Sequence, residues 1–206
     1  MKLVARRGLL KGFIAVASLC AFSRNAVSAI LTPSATEGPF YPDSSMRLAD
    51  VDNDLVKVSG LVKKAGGEII RLKGKVMSNN GKPLAGHRIE IWQCDVNGRY
   101  LHPNDDRSVI YDNGFQGFGH DITDTNGNYS FKTIKPTIYP GRAPHIHVKV
   151  FDGKHELLTT QLYISGESNN NTDSLYRRMS DKQAKQVSMV FTENKNVIET
   201  NIDVVV

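Results

Sequence analysis

Cysteine is nearly absent: two in 206 residues. That excludes a disulfide-dense scaffold and any zinc site built from four cysteines. Tryptophan occurs once, and no apolar run approaches the roughly 20 residues that a membrane-spanning helix needs. A polytopic membrane protein is therefore excluded. Residues 1–29 contain Lys2, Arg6, Arg7, Lys11 and Arg24 and no Asp or Glu. The whole chain has 26 Lys+Arg against 21 Asp+Glu, a net charge of +5. Those five N-terminal cations account for all of the excess, so the remainder is formally neutral. The basic balance gives no support to a nucleic-acid or membrane partner for the folded domain.

What residues 1–29 do contain is ordered. A basic part is followed by the apolar stretch Gly12 to Phe22, then by the small-x-small site Val27-Ser28-Ala29. This is the order of a secretory signal, cleaved after Ala29. Ala5-Arg6-Arg7-Gly8-Leu9-Leu10-Lys11 also resembles a twin-arginine export signal. The expected location is periplasmic or secreted, with no stable membrane insertion after cleavage. Cys20 falls in the signal, leaving Cys94 in the mature chain, where a buried, small hydrophobic role is expected.

Residues 30–206 read as a single all-β domain. After a Pro/Gly/Ser-rich arm (Thr32 to Asp43), alternating segments recur: Ile70 to Val76, His87 to Trp92, Asn128 to Thr133, His145 to Phe151, Leu157 to Ile164, Val187 to Thr192 and Val197 to Val206. Asn79-Asn80-Gly81, Asn126-Gly127 and Asp152-Gly153 supply turns. Short strands without a βαβ rhythm predict an antiparallel β-sandwich with long active-site loops and at most one or two short helices, one around Asp173 to Met179. The Gly-rich connection 97–120 is long enough to carry function.

His145-Ile146-His147 places two imidazoles on one face of a strand, about 6–7 Å apart at the backbone. That suits two ligands on one metal, although two histidines on a strand are more often ordinary half-buried residues. Tyr139-Pro140-Gly141-Arg142 leads into this strand, and Asn97-Gly98-Arg99-Tyr100 ends the Trp92 strand. Singly, each tyrosine reads as a core residue. His87, His102, His120 and His155 lack ligand spacing, and Trp92 reads as core.

Taken together, the segments resemble a family. Pro83 to Tyr100, Phe115-Gln116-Gly117-Phe118-Gly119, Thr123 to Pro136, Tyr139 to His147 and Thr160-Gln161-Leu162-Tyr163 are similar to the intradiol ring-cleavage dioxygenases of the protocatechuate 3,4-dioxygenase and catechol 1,2-dioxygenase type. The arm Thr36-Glu37-Gly38-Pro39-Phe40-Tyr41 is similar as well, so the resemblance covers roughly residues 34–167. It implies a β-sandwich with one Fe(III) per chain, held by Tyr100, Tyr139, His145 and His147. Ferric iron is a hard cation that favours anionic oxygen and accepts imidazole. The resemblance also implies that Tyr139 leaves the metal when substrate binds. Arg142 then faces the bound ring and stabilises negative charge on it. Gln161 orients substrate or oxygen, while Gly38, Pro39 and Tyr41 wall the pocket. The implied reaction opens a catechol-type ring between its hydroxyl-bearing carbons with O2, giving a muconate-type diacid. The implied partners are a small aromatic diol and O2, and a homo-oligomer is compatible with the sequence. Two departures stand out: the short link between Tyr139 and Arg142, and the missing N-terminal helical region of the catechol branch. Both predict an open site with looser substrate choice. His120 stands where an Arg is common. The competing readings are a secreted β-sandwich binding module that has lost catalysis, and a different metalloenzyme with His145 and His147 binding copper or ferrous iron, which would usually add a third His or a carboxylate.

Overall fold

A computed structural model describes residues 29–206. The expected export signal, residues 1–29, lies outside the described residues apart from Ala29. Ten strands form two five-stranded sheets: β1 (Ile69–Met77), β2 (Arg88–Trp92), β3 (Phe118–Ile122), β4 (Asn128–Ile134), β5 (His145–Asp152), β6 (His155–Ile164), β7 (Ser188–Met189), β8 (Phe191–Asn194), β9 (Val197–Asn201) and β10 (Val204–Val205). In the first sheet β1 pairs with β4, β9 and β10, and β9 pairs with β8. The second runs β3-β2-β5-β6-β7. The sandwich expectation holds.

Five of the eight ladders are antiparallel and three are parallel. β1 runs parallel to β9 and β10, and β6 runs parallel to β7. These parallel pairs join strands far apart in the chain, which alternation within a strand does not report. The 97–120 connection also ends earlier than expected, because its last residues begin β3. The helix sits further on than expected. Asp173 Oδ1 accepts the Leu175 and Tyr176 N–H groups, which favours a turn there. Only a 3-10 turn, Tyr176–Arg178, forms in that stretch. The α-helix α1 (Asp181–Gln186) starts where Ser180 and Gln183 make a reciprocal capping box.

The core follows the two-residue period. In β1 the residues Ile70, Leu72 and Val76 are buried while their neighbours are more open. They meet Phe131 of β4 and, from the second sheet, Ile89, Ile91, Ile146, Val148 and Val150. Gly74 is required in β1 by close approach: a Cβ there would stand 1.8 Å from the Ile202 carbonyl oxygen and 2.9 Å from the Tyr129 hydroxyl. Gly74→Ala is therefore expected to cost at least about 1–3 kcal/mol, read as a lower urea midpoint with unchanged m-value.

Strand β5 is buried on both faces up to its last residue. One face is the inter-sheet core. The other, carrying His145, His147 and Lys149, is covered by the N-terminal arm. Ala35 N–H donates to the Thr159 carbonyl (2.8 Å), Thr160 Oγ1 to the Pro33 carbonyl (2.7 Å) and Gln161 Nε2 to the Thr36 carbonyl (2.9 Å). Lys149 is paired with Glu37 of the arm and with Glu156. The outer face of the second sheet is thus a second, smaller interior. Trp92, Cys94, Tyr100 and Phe118 form its buried cluster, with Phe40, Tyr41 and Tyr139 packed against it.

Candidate metal centre

Register assembles the site. Trp92 lies opposite His147 on β2, while Gln161 lies opposite His147 and Tyr163 opposite His145 on β6. Opposed residues share a face, so all five side chains project to the outer surface of the second sheet. His145 Nδ1 lies 2.7 Å from the Ala143 carbonyl, which makes it the N–H and leaves Nε2 as a lone pair. That Nε2 is 3.0 Å from His147 Nε2, which is 3.2 Å from the Tyr100 hydroxyl. The Tyr139 ring is 5.4 Å from that of Tyr100 and 5.6 Å from that of His145. Four rings from three chain segments surround one point.

His145 and His147 are buried, as is Tyr100; Tyr139 is the most open of the four. Burial, reinforced by Arg142, holds His145 down to a pKa of about 4. Burial likewise holds His147 far below the usual histidine range, helped by His145 and Arg142. Both imidazoles are neutral at pH 7 and present lone pairs. Burial also raises both phenols, that of Tyr139 against the lowering pull of Arg142. A cation at the centre would reverse this preference and favour the phenolate. Among the described residues no group of three or more His, Cys, Asp or Glu gathers as a metal cluster. The second pair of donors here is phenolic. Two neutral imidazoles and two phenols around a buried point fit a hard trivalent cation. His147 Nδ1 is buried without a hydrogen-bond partner. Its ring is held instead by stacking on Trp92, with centroids 4.6 Å apart and planes 12° apart. Trp92 is core, as expected, and also supports the His147 ring.

The surroundings fix these groups. Tyr100 N–H donates to Asp105 Oδ2 (2.8 Å), and Asp95 Oδ1 accepts from Asn97 and Arg99 N–H (2.9 Å each). The Phe40 ring stacks on Tyr100 at 4.6 Å and stands 6.3 Å from Tyr139. Gly38, with φ +76°, lies against His147; a Cβ there would be 3.5 Å from Cε1. The Tyr41 hydroxyl donates to buried Glu90 (2.6 Å), and its ring meets Trp92 edge-on at 4.9 Å. Tyr41 is therefore one ring removed from His147. Arg142 donates through Nη1 to the Tyr139 hydroxyl (3.3 Å), and through Nη2 to Gln161 Oε1 (2.6 Å) and the Tyr163 hydroxyl (3.0 Å). Gln161 is fully buried with its amide committed at both ends, which makes it a holder of Arg142.

The sequence pattern of the family described as Dioxygenase matches residues 36–206. The protocatechuate 3,4-dioxygenase beta chain of Burkholderia cepacia is 32% identical over 170 residues, 77% of this chain and 72% of that one. This chain belongs to the intradiol dioxygenase family. The catechol 1,2-dioxygenase of Candida albicans is 33% identical over 73% of this chain, which spans only 52% of that protein. Among solved structures, the dioxygenase domain of a dioxygenase–carbohydrate-binding fusion from Streptomyces sp. SirexAA-E aligns with a TM-score of 0.64 at 31% identity. The alignment covers 86% of this chain and 98% of that domain. An intradiol ring-cleavage dioxygenase from Tetranychus urticae, 18% identical with a TM-score of 0.66, shares the fold over 85% of this chain and 93% of that one. Membership makes the chain an oxidoreductase of the dioxygenase class. The residues expected to act together in an intradiol dioxygenase, Tyr100, Tyr139, His145, His147, Arg142 and Gln161, are gathered at one place. Sequence reading missed Phe40, Asp105, Tyr163 and Asp173 as parts of it. Asp173 meets its partner Arg142 from 31 residues away, a contact no local signal reports.

Proposed function

We propose that this intradiol dioxygenase binds one Fe(III) through Tyr100, Tyr139, His145 and His147 and opens a catechol-type ring. Cleavage falls between the two hydroxyl-bearing carbons, with O2, giving a muconate-type diacid. The observation that carries this reading is the convergence of two imidazole nitrogens and two phenol groups, with the Arg142 guanidinium against one of the phenols. Ferric iron would supply Lewis acidity toward the diol and an electronic route between the ring and O2. The protein's own residues divide the remaining work. Tyr139 is the most open donor, and its phenolate oxygen is placed to accept a proton from an incoming hydroxyl. Tyr100 is buried, with Phe40 stacked on its ring, and stays in place. The Nη1 of Arg142 has a second hydrogen to offer an anionic ring in a site screened from water. Gln161 and Tyr163 hold the far side of that guanidinium. The basic excess confined to residues 1–29 supports a periplasmic or secreted location for this activity.

Purified protein given ferric iron is expected to turn reddish, because tyrosinate on ferric iron absorbs visible light. The colour should shift when catechol is added without air, and diacid should appear when air is admitted. Colourless protein at full iron supply, or diol left intact in air, refutes the assignment.

A further inference from the structure

Arg142 is held by more than its neighbours on β6. Asp173, in the connection between β6 and α1, is buried with 1% of its surface exposed. Its Oδ2 accepts from Arg142 Nε at 2.8 Å and from Ala143 N–H at 2.9 Å. Its Oδ1 accepts from Leu175 N–H at 2.9 Å and Tyr176 N–H at 3.2 Å. Both oxygens are therefore used twice. The guanidinium is a planar fork with five donors. Nε is fixed by Asp173, and Nη2 is fixed by Gln161 and Tyr163. With those two corners fixed, the fork cannot rotate, and Nη1 must point at Tyr139.

The same carboxylate fixes the start of the ligand strand. Ala143 gives its N–H to Asp173 and its carbonyl to His145 Nδ1. Tyr139 and Arg142 close the intervening turn, with Arg142 N–H donating to the Tyr139 carbonyl at 3.2 Å. No other acid forms an ion pair with Arg142 among the described residues.

We propose that Asp173 is a positioning residue for ring cleavage, aiming Arg142 Nη1 at the substrate side of Tyr139. This rests on the function proposed above. Asp173 makes no hydrogen bond to any of the four donors and reaches His145 only through the Ala143 backbone, so its loss should leave iron in place and slow the reaction.

The test uses iron-loaded protein and a double-mutant cycle. Asp173→Asn keeps an acceptor for Leu175 and Tyr176 but turns an amide N–H toward Arg142 Nε. Asp173→Ser keeps the turn through its hydroxyl and removes the charge, so it serves if the Asn variant does not fold. Either variant is expected to retain bound iron and the visible band. kcat should fall about 10–100-fold, in the range seen for residues that act through a neighbour, with little change in KM. In an Arg142→Ala background the same change at Asp173 should have almost no further effect on kcat. Arg142→Lys, which cannot fork, should be as slow as Arg142→Ala. The proposal is overturned if the Asp173 variant matches the wild type at full iron, if it loses iron or its visible band, or if its full effect persists without Arg142. A wild type that takes up no iron, or binds it and opens no diol, refutes the function itself and is detected before any variant is made.

Discussion

A variant carrying Tyr139→Phe and His147→Ala stays colourless when ferric iron is supplied, and leaves catechol intact. Two of the four donors are gone, one of each kind, leaving Tyr100 and His145. Half of a donor set does not hold a hard cation against hydrolysis in water, whereas losing a group that only supports a metal ligand typically lowers affinity or activity about 10–100-fold. The double change should therefore exceed that range. The fold should survive, because both side chains lie on the outer face of the second sheet and neither belongs to the inter-sheet core. His147→Ala does leave a gap against Trp92, so some loss of stability is expected. Binding to the native state alone raises stability by mass action. Ferric iron should thus raise the thermal midpoint of the wild type and leave that of the variant unmoved. Metal analysis after desalting gives a second reading. A variant that still binds ferric iron and cleaves catechol would refute the ligand assignment. Tyr139→Phe alone should be milder, since the most open donor is also the one placed to release the metal.

Much of this arrangement was legible in the sequence, for identifiable reasons. Alternation in His145-Ile146-His147 put the histidines on one face, and the structure adds that this face is not exposed. Glu90 shows the limit of the same argument. Alternation places it opposite Ile89 and Ile91, on a face that would ordinarily meet water. It is instead fully buried, bonded to Tyr41 at 2.6 Å and flanked by Arg47 and Arg88. The arm that covers it comes from 49 residues away, and periodicity within a strand carries no information about what is laid over it. Arg142 and Asp173 differ in the same way. Arg142 could be found from its place before the histidines, by resemblance. Asp173 reads as the start of a short helix, and only the folded chain shows that its carboxylate reaches the ligand turn. Turn-forming residues were visible; the partners their side chains chose across the fold were not. The parallel additions of β9 and β10 belong with these long-range facts.

Gly98 joins the two kinds of information, and Gly98→Ala should disable the centre without altering any donor. Gly98 has φ +74°, a conformation that costs an L-residue roughly 1–2 kcal/mol. Its Cα also faces the carbonyl of Ile138: a Cβ there would stand 2.5 Å from that oxygen and 3.7 Å from Tyr139 Cα. Two residues after Gly98 comes Tyr100, and immediately after Ile138 comes Tyr139. The contact thus sets how closely the two tyrosine-bearing segments approach. A backbone oxygen cannot swing aside as a flexible side chain would, so alanine must push the segments apart. Asp95 resists this, because it anchors the 95–99 turn through Asn97 and Arg99 and its own carbonyl receives the Thr137 hydroxyl at 2.6 Å. The strain therefore falls on the Tyr100 and Tyr139 rings, whose separation defines the phenolic half of the site. The expected outcome is a fall in unfolding free energy of about 2–5 kcal/mol, combining the conformational cost with overpacking. Iron occupancy should be lost or weak, with a shifted or bleached visible band, while all four donors remain. Gly141→Ala serves as the comparison. It also has positive φ, but a Cβ there meets nothing within 4 Å. It should lose the conformational part of the stability and keep its iron. If both variants bind iron equally well, close approach at Gly98 is not what spaces the tyrosines.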